Sequence, residues 1–319
     1  MQILLTGASG NIGTSALHAL VERGHHVRAL IPHSRASIAG RYRRHPQVGV
    51  FPGDVRDAAR MRRAVADQDV VIHLAYILPP ESDERPALAR AVNLDGTRNL
   101  IAACRQQPTP PRFLFASTFD LFGHTGHLPP PRRVDDPVAP TDLYTEHKLQ
   151  GERWVRESGL VWSILRFADV PVMGFRRAHP IMFEIPLAQR FEVLHTLDAG
   201  LATVNTMTCD AAWGRILLIG GGASCQVTYR DFLFGLLGAM GIGDLPAAAF
   251  TTRPYCTDWL DTAESQALLD YQRHSFADIV REIRAVAGWR RGVIPLVRPV
   301  VRRAILRMSP YLNRPPASE

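Results

Sequence analysis

The chain has 319 residues, 46% hydrophobic and 21% charged, a composition typical of a globular protein with a full core. This excludes a disordered or collagen-like chain, and no internal repeat indicates a solenoid. The net charge of +7 is concentrated after Trp289, where seven arginines stand against one acid, Glu319. The rest of the chain is nearly neutral, so we expect no nucleic-acid-binding face.

The apolar runs, the first residues and the cysteines indicate where the protein is located and whether its thiols are reduced. No apolar run approaches the roughly 18 residues that a membrane span needs. The opening residues 1–5 lack the basic region of a signal peptide, which predicts a cytoplasmic protein. Its cysteines, Cys104, Cys209, Cys225 and Cys256, have no metal-binding spacing, so we expect reduced, mostly buried thiols and no metal.

The first half of the chain alternates short apolar runs with helical patterns, which predicts βαβ units and a parallel sheet. Strands are predicted at residues 1–5, 26–31, 48–51, 70–74, 113–116 and 161–166. Helices are predicted at residues 11–23, 57–66, 85–104 and 141–158. Together these elements predict an α/β fold with a doubly wound parallel sheet, a Rossmann domain over residues 1–170.

The pattern weakens after about residue 167, where prolines, glycines and aromatic residues predict a smaller, irregular C-terminal lobe that selects the substrate. This lobe is expected over residues 171–319, with helices at 227–240 and 276–287. Residues 205–222 are expected to return to the first domain.

A glycine-rich segment, TGASGNIG at residues 6–13, follows the first predicted strand and opens the first predicted helix. Gly7 and Gly10 permit a sharp turn and a close approach to a pyrophosphate, while Gly13 lets the helix pack on the strand. The helix start offers N–H groups and a positive dipole to the anion. Contacts with a dinucleotide are therefore expected from Gly7, Ser9, Gly10, Asn11, Ile12 and Gly13.

The residues that follow the second and third strands could contact the dinucleotide and influence the choice between NAD and NADP. Asp54, followed by Val55, could accept a hydrogen bond from the adenine amino group or cap the next helix, and both interpretations stay open. The second strand ends without the acid that holds the ribose hydroxyls in NAD-specific sites. Arg35 or His33 could bind a 2′-phosphate instead, which slightly favours NADP over NAD.

Tyr144 and Lys148 form a YxxxK pattern inside a predicted helix, and their i, i+4 spacing places them on one face. An ammonium nearby is expected to lower the pKa of the phenol, so that Tyr144 exchanges a proton with a substrate hydroxyl or carbonyl. The lysine could also bond the nicotinamide ribose. Taken alone, the pattern is common on solvated helix faces.

The order of these motifs resembles that of extended short-chain dehydrogenases, the NAD-dependent epimerase/dehydratase family. The resemblance covers about residues 1–170. It rests on TGASGNIG, Gly53-Asp54-Val55, His73-Leu74-Ala75, Asn93, Ser117-Thr118 and the YxxxK pattern.

The resemblance implies roles for individual residues. Thr118 would hydrogen-bond the reacting oxygen, with Ser117 beside it. Arg166 would correspond to the arginine of the family's R-P segment, although Phe167 replaces the proline. The residues that would line or support the cofactor are Leu74, Ala75, Tyr76 and Asn93, together with Tyr144 and Lys148.

Two departures from the family pattern affect the expected reaction. Family dehydratases and decarboxylases often carry a glutamate at the position of Asp120, so Asp120 could be an acid/base for elimination. The shorter side chain favours a partly exposed loop carboxylate. Residues 166–174 lack an asparagine common in sugar-nucleotide members, which leaves room for apolar substrates.

The sequence thus predicts an NAD(P)-dependent oxidoreductase or epimerase acting on a small-molecule secondary alcohol or ketone, with a homodimer possible by analogy. One alternative is a sugar-nucleotide dehydratase or decarboxylase using Asp120. The other is a non-catalytic dinucleotide-binding regulator, a type that often lacks the tyrosine or lysine.

The basic tail is a separate feature. Residues 300–308 are amphipathic, with apolar side chains at 301, 304, 305 and 308, and could make a peripheral contact with an anionic membrane. General frequency favours the alternative, a helix packed on its own domain with solvated arginines. Pro295 and Pro299 are expected to keep any helix short.

Overall fold

The computed structural model describes residues 1–35, 40, 45–174 and 178–312. Its strands are β1 (Gln2–Thr6), β2 (His26–Ile31), β3 (Val48–Pro52), β4 (Val70–His73), β5 (Arg112–Thr118), β6 (Trp162–Phe167), β7 (Arg190–Glu192), β8 (Ile216–Ile219) and β9 (Gln226–Thr228). Seven of them form one parallel sheet in the order β3-β2-β1-β4-β5-β6-β8. The predicted doubly wound parallel sheet is confirmed.

The helices lie on both sides of this sheet and in the C-terminal lobe. They are α1 (Asn11–Glu22), α2 (Ala58–Val65), α3 (Glu81–Glu84), α4 (Pro86–Arg90), α5 (Gly96–Arg105), α6 (Leu143–Arg156), α7 (Thr196–Thr208), α8 (Tyr229–Ala239), α9 (Ala263–Leu269), α10 (Phe276–Ala287) and α11 (Arg290–Leu306). A π-helical turn, Ala91–Asp95, joins α4 to α5, so the long helix predicted at residues 85–104 is wound differently at its centre.

The central strands are buried along almost their whole length because helices cover both faces of the sheet. All four residues of β4 are buried, as are the last six of β5. The strand order reverses between β1 and β4, which pair directly with each other. In open α/β sheets, ligands bind at the carboxyl ends of the strands beside such a reversal. The glycine loop follows β1 at this point.

The chain returns to the sheet after entering the C-terminal lobe. β8, inside the stretch 205–222, pairs in parallel with β6 at the sheet edge. The helix before it, α7, packs on α1, and a Cβ on Gly200 would lie 2.4 Å from Ser15 Oγ. A boundary at residue 170 therefore stays a prediction, since later residues complete the sheet.

The C-terminal lobe is built on the antiparallel pair β7–β9 and on α8, α10 and α11. Its core is rich in aromatic residues, among them Phe183, Phe191, Tyr229, Phe234 and Phe250. The buried carboxylate of Asp258 connects the lobe to the main sheet region, since it accepts a hydrogen bond from Thr125 Oγ1 at 2.8 Å and pairs with Arg190.

The structure can be compared with the predictions on cysteines, membrane spans and metal sites. All four cysteines carry free thiols, and all but Cys209 are buried. Among the described residues, none of the helices combines the length and the apolar character that crossing a membrane requires. His195, Asp198 and His274 lie together although no metal site was expected, with their possible ligand atoms within 4.8 Å of one another.

Candidate active site

The glycine loop turns sharply between β1 and α1. Gly7 has a φ of +70°, in the left-handed region that favours glycine, and its carbonyl accepts a hydrogen bond from the Gly10 N–H at 2.8 Å. A Cβ on Gly13 would lie 2.0 Å from that same carbonyl oxygen, so this position has no room for a side chain. The helix begins without a side-chain cap on Gly10 and without an acid in its first turn. Such a helix start fits a pyrophosphate.

The side chain of Asn11 holds the loop in place. Its amide nitrogen donates to the carbonyls of Val170 and Pro171 at 3.0 and 3.2 Å, and its oxygen accepts from Thr196 Oγ1 at 3.2 Å. Asn11 thus connects the loop to the segment that follows β6 and to the start of α7. The remaining predicted positions of the loop are half-buried: Ser9, Gly10 and Ile12.

Asp54 lies after β3, as the sequence indicated, and is paired with Arg56. Their side chains form an ion pair at 2.8 Å, and the Arg56 hydrogen bond lowers the pKa of the Asp54 carboxyl. The helix that follows is capped by Asp57, which accepts from the Arg60 N–H at 2.9 Å. The capping interpretation of Asp54 is therefore wrong. Val55, the next residue, is buried.

The loop after β4 lies against the glycine loop. A Cβ on Gly7 would come within 2.7 Å of the backbone of both Leu74 and Ala75. Asn93 is fully buried and holds this loop through the backbone of Ile77, accepting from its N–H at 2.8 Å and donating to its carbonyl at 3.0 Å. Asn93 therefore supports the loop, and its amide group is occupied by these bonds.

Arg35 was predicted to contact the cofactor from the end of β2. Its backbone belongs to a short 3₁₀ turn, His33–Arg35, while its side chain lies outside the described residues. His33 is exposed on the same turn. The turn follows the strand that pairs with β1, next to the glycine loop.

Tyr144 and Lys148 lie on the buried face of α6, as their spacing predicted. The Lys148 ammonium donates to the Ala116 carbonyl and lies 3.5 Å from the centre of the Tyr76 ring. Tyr76 in turn donates its hydroxyl to the His147 carbonyl at 3.0 Å. Burial lowers the pKa of Lys148 to about 7, while the Glu152 carboxylate acts in the opposite direction.

The pKa of Tyr144 is raised well above its ordinary value, first by burial and then by the nearby Asp120 carboxylate, while a hydrogen bond with Thr118 opposes both. The expected lowering of this pKa by Lys148 is wrong. The Lys148 ammonium does not lower this pKa because of where it lies. It lies over the ring of Tyr76, and the centre of the Tyr144 ring is 5.7 Å away from it.

Ser117 and Thr118 end β5, where neighbouring side chains point to opposite faces. Ser117 Oγ donates to Glu152 Oε1 at 2.6 Å, and Glu152 forms a buried ion pair with Arg166 at 2.8 Å. Thr118 Oγ1 instead donates to Asp120 Oδ2 at 3.0 Å. The structure therefore groups Thr118 with Tyr144 and Asp120, and it places Ser117 in a separate, buried polar network.

Asp120 lies in the short 3₁₀ turn after β5. Burial raises the pKa of its carboxyl to about 7, its hydrogen bond with Thr118 opposes the change, and the carboxylates of Asp142 and Asp169 add to it. A carboxyl group of this kind can give or take a proton near neutral pH.

A model of the NAD dependent epimerase/dehydratase family matches residues 3–170, more than half of the chain. The chain belongs to this family. The resemblance inferred from its motifs is thereby confirmed.

The chain is similar in sequence to several kinds of enzyme. Over 205 residues it is 28% identical to a 3-beta-hydroxysteroid dehydrogenase of Mycolicibacterium neoaurum, and the match covers 60% of this chain and 54% of that protein. It is 27% identical over 268 residues to a dTDP-glucose 4,6-dehydratase of Streptomyces antibioticus, covering 76% and 78%. The chain spans about half the length of the hydroxysteroid dehydrogenases it matches.

Several solved structures have a fold similar to the Rossmann architecture of this chain. A UDP-glucuronic acid 4-epimerase from Bacillus cereus, in complex with UDP-glucuronic acid and NAD, has a TM-score of 0.74 at 22% identity, covering 90% of this chain and 99% of that one. A UDP-glucose 4-epimerase from Bifidobacterium longum, in complex with NAD⁺ and UDP, has a TM-score of 0.75 at 18% identity, covering 92% and 100%. At these identities the likeness confirms the fold.

The site of this family member also contains residues that were not predicted from the sequence. Glu152 follows Lys148 by four residues on the same helix, so its spacing could have shown that it faces the same way. Tyr255 and Cys256 come from the C-terminal lobe, and burial together with Asp120 raises the pKa of the Cys256 thiol. No local pattern connects residues 255–256 with β5, because only the tertiary fold brings them together.

Proposed function

We propose that this chain is an NAD(P)-dependent oxidoreductase or epimerase that acts on a secondary alcohol or ketone, with Tyr144 as the proton donor and acceptor. The observation that carries the proposal is the meeting of Tyr144, Thr118 and Asp120 at the carboxyl end of β5. Relatives named for a hydroxysteroid and for nucleotide sugars agree with an alcohol or ketone as the reacting group.

The residues around the glycine loop fit a dinucleotide. The N–H groups at the start of α1 would bind the pyrophosphate, and the carboxylate of Asp54, 34% exposed and beside Arg56, would accept a hydrogen bond from the adenine amino group. Leu74, Ala75 and Tyr76 would line the cofactor, which supplies or accepts a hydride at its nicotinamide ring when bound.

The raised pKa of Tyr144 keeps the phenol protonated at neutral pH, which suits a proton donor to a ketone oxygen. Thr118 donates its single hydroxyl proton to Asp120, so its oxygen is left to accept the hydrogen bond from Tyr144. After Tyr144 gives up its proton, Thr118 would pass it another and take one from Asp120. In the oxidation direction the same path would run in reverse.

The preference between the two cofactors is a finer part of the proposal. No acid stands between Ile31 and Arg35 at the end of β2, which supports room for a 2′-phosphate and a slight preference for NADP. Titrations of the full chain with NADPH and NADH, followed by nicotinamide fluorescence, would measure it. Arg35→Ala should weaken NADPH binding and leave NADH unchanged. Equal weakening of both would contradict a 2′-phosphate contact.

Tyr144→Phe tests the proposed function directly. The variant should bind cofactor like the parent and lose on the order of 10²–10⁴ in turnover against a panel of secondary alcohols and ketones. Unchanged turnover would overturn the role of Tyr144. The relatives include dehydrogenases, epimerases and a dehydratase, so they favour neither the alternative of a dehydratase or decarboxylase that uses Asp120 nor that of a non-catalytic regulator. If the parent binds cofactor but turns over no alcohol or nucleotide sugar, that result would favour the regulator.

A further inference from the structure

The helix α11 carries apolar residues on the face that points away from the protein. We call Trp289, just before the helix, and Val293, Leu296, Val297 and Val300 the outer face. Their spacing places them along one side of an α-helix. They are strongly exposed: Trp289 by 74%, Leu296 by 81% and Val300 by 70%, with Val293 and Val297 at 44% and 45%. Scattered exposed apolar residues are ordinary, whereas a continuous stripe marks an interaction surface.

The opposite face of α11 packs on the C-terminal lobe. Ile305 is buried in the core of the lobe, with Ile294 and Val301 packed beside it. Arg298 Nε donates to the Ile242 carbonyl at 2.9 Å. These contacts hold a helix of 17 residues that runs through Pro295 and Pro299, so the expectation that these prolines keep it short is wrong.

The stripe at residues 301, 304, 305 and 308 is therefore not the surface that the sequence analysis suggested. Val301, Ile305 and Met308 face the lobe, and only Ala304 is exposed. The packed alternative is correct for that stripe. A second apolar stripe, which the sequence analysis did not single out, remains on the outside.

The charged residues of the chain segment that carries the outer face are all positive. Residues 289–312 contain six arginines and no acid. Arg302, Arg303 and Arg307 line a hollow of about 380 Å³ next to the outer face, together with Leu306 and Leu312. A second copy of the chain would bring like charges together across such a contact, whereas anionic phosphate groups would complement them.

We propose that α11 binds the surface of an anionic lipid bilayer. Trp289, Leu296 and Val300 would enter the boundary between headgroups and acyl chains, and the arginines would contact lipid phosphates. An exposed apolar face bordered by arginines is the arrangement of a helix that lies in the membrane plane. In the part of the chain that the structure describes, no contact joins the outer face to Tyr144 or to the glycine loop, so the proposal does not depend on the proposed function.

Binding to vesicles tests the proposal with the full chain. The chain should cosediment with vesicles of phosphatidylcholine and phosphatidylglycerol, sediment far less with phosphatidylcholine alone, and dissociate at high salt. Leu296→Ser/Val300→Ser and Arg303→Gln/Arg307→Gln should each weaken vesicle binding by about tenfold or more. The fluorescence of the parent should shift to the blue on anionic vesicles, and Trp289→Phe should remove that shift.

Matched controls separate this surface from general charge and from misfolding. Arg62→Gln/Arg105→Gln removes two exposed arginines elsewhere and should bind vesicles nearly as the parent does. Val161→Ser does the same for an exposed apolar residue, 53% exposed. Every variant should bind NAD(P)H unchanged. A parent chain that ignores anionic vesicles would overturn the proposal, and so would an outer-face variant that turns a dimer into a monomer without a change in vesicle binding.

Discussion

The ammonium of Lys148 lies 3.5 Å from the centre of the Tyr76 ring, and this contact joins the loop after β4 to α6. The Phe115 ring centre is 5.0 Å from the same ammonium, so the cation is enclosed by aromatic faces. Contacts of this kind are worth about 2 kcal/mol when they are shielded from water. Tyr76 therefore positions Lys148, and its ring decides where the positive charge of the site lies.

Substitutions of Tyr76 can separate its ring from its hydroxyl. Tyr76→Phe keeps the ring and loses the hydroxyl, which donates to the His147 carbonyl and also bonds with Thr97, so we expect turnover within a few fold of the parent and a loss of about 1 kcal/mol in unfolding free energy. Tyr76→Leu removes the surface on which the ammonium rests, and turnover should fall by at least about tenfold. Steady-state kinetics and urea unfolding measure both. Equal turnover in the two variants would show that the ring does not position Lys148.

Ser117 and Thr118 should respond differently to substitution. Thr118→Val removes the hydroxyl that links Tyr144 with Asp120, so turnover should fall by about 10² or more, and stability should also fall by about 1–3 kcal/mol because Asp120 loses a hydrogen bond. Ser117→Ala leaves Glu152 with one bond fewer in a buried network, so stability should fall by about 1–3 kcal/mol while turnover stays near that of the parent. Measuring both quantities on both variants checks the assignment. A large loss of turnover in Ser117→Ala would return Ser117 to the catalytic group.

The local features of the fold could be predicted from the sequence because they depend on short-range patterns. The strand that precedes Gly7 and the helix that follows Gly10 are adjacent in the chain, and the strained turn between them leaves a glycine signature. The shared face of Tyr144 and Lys148 follows from helical periodicity alone. For the same reason, α8 and α10 were found within a few residues of their true ends.

The features that could not be predicted depend on contacts between distant parts of the chain. The pKa of Tyr144 depends on how deeply the phenol is buried and on Asp120, and no spacing rule reports either quantity. Ser117 is adjacent to Thr118 in sequence, yet its partner Glu152 is supplied by another element. The outer face of α11 became visible only when the tertiary structure showed which side of the helix the lobe covers.

The two glycines at the start of α1 provide a matched pair of substitutions. An alanine Cβ at position 13 would lie 2.0 Å from the Gly7 carbonyl oxygen, so Gly13→Ala must push the helix away from the loop. We expect a loss of about 1–3 kcal/mol in stability and of most of the cofactor affinity. The nearest atom to a Cβ at position 10 is that same oxygen at 3.2 Å, so Gly10→Ala should be milder on both measures. Fluorescence titration and thermal unfolding measure the pair. A Gly13→Ala variant that binds cofactor like the parent would contradict the close approach.

Asp120 should make both stability and turnover depend on pH. Its folded pKa of about 7 exceeds its ordinary value of 3.8, so the folded chain holds a proton that the unfolded chain releases between these values. Stability from this group is therefore complete below about pH 4 and is lost as the pH rises through about 7. In Asp120→Asn this dependence should vanish. Glu192, whose pKa burial also raises to about 7, and Lys148 remain in both proteins, so the difference between parent and variant isolates Asp120.

Turnover gives the independent readout of the same carboxyl group. Reduction of a ketone should slow as the pH rises through about 7, because ionised Asp120 has no proton to return through Thr118 to Tyr144. Asp120→Asn should be slower than the parent at low pH and should lack this fall, since its amide does not titrate. Lys148 also titrates near pH 7, and Lys148→Arg keeps that charge fixed and serves as the control. If the fall near pH 7 persists in Asp120→Asn and disappears in Lys148→Arg, the proton path belongs to the lysine and not to Asp120.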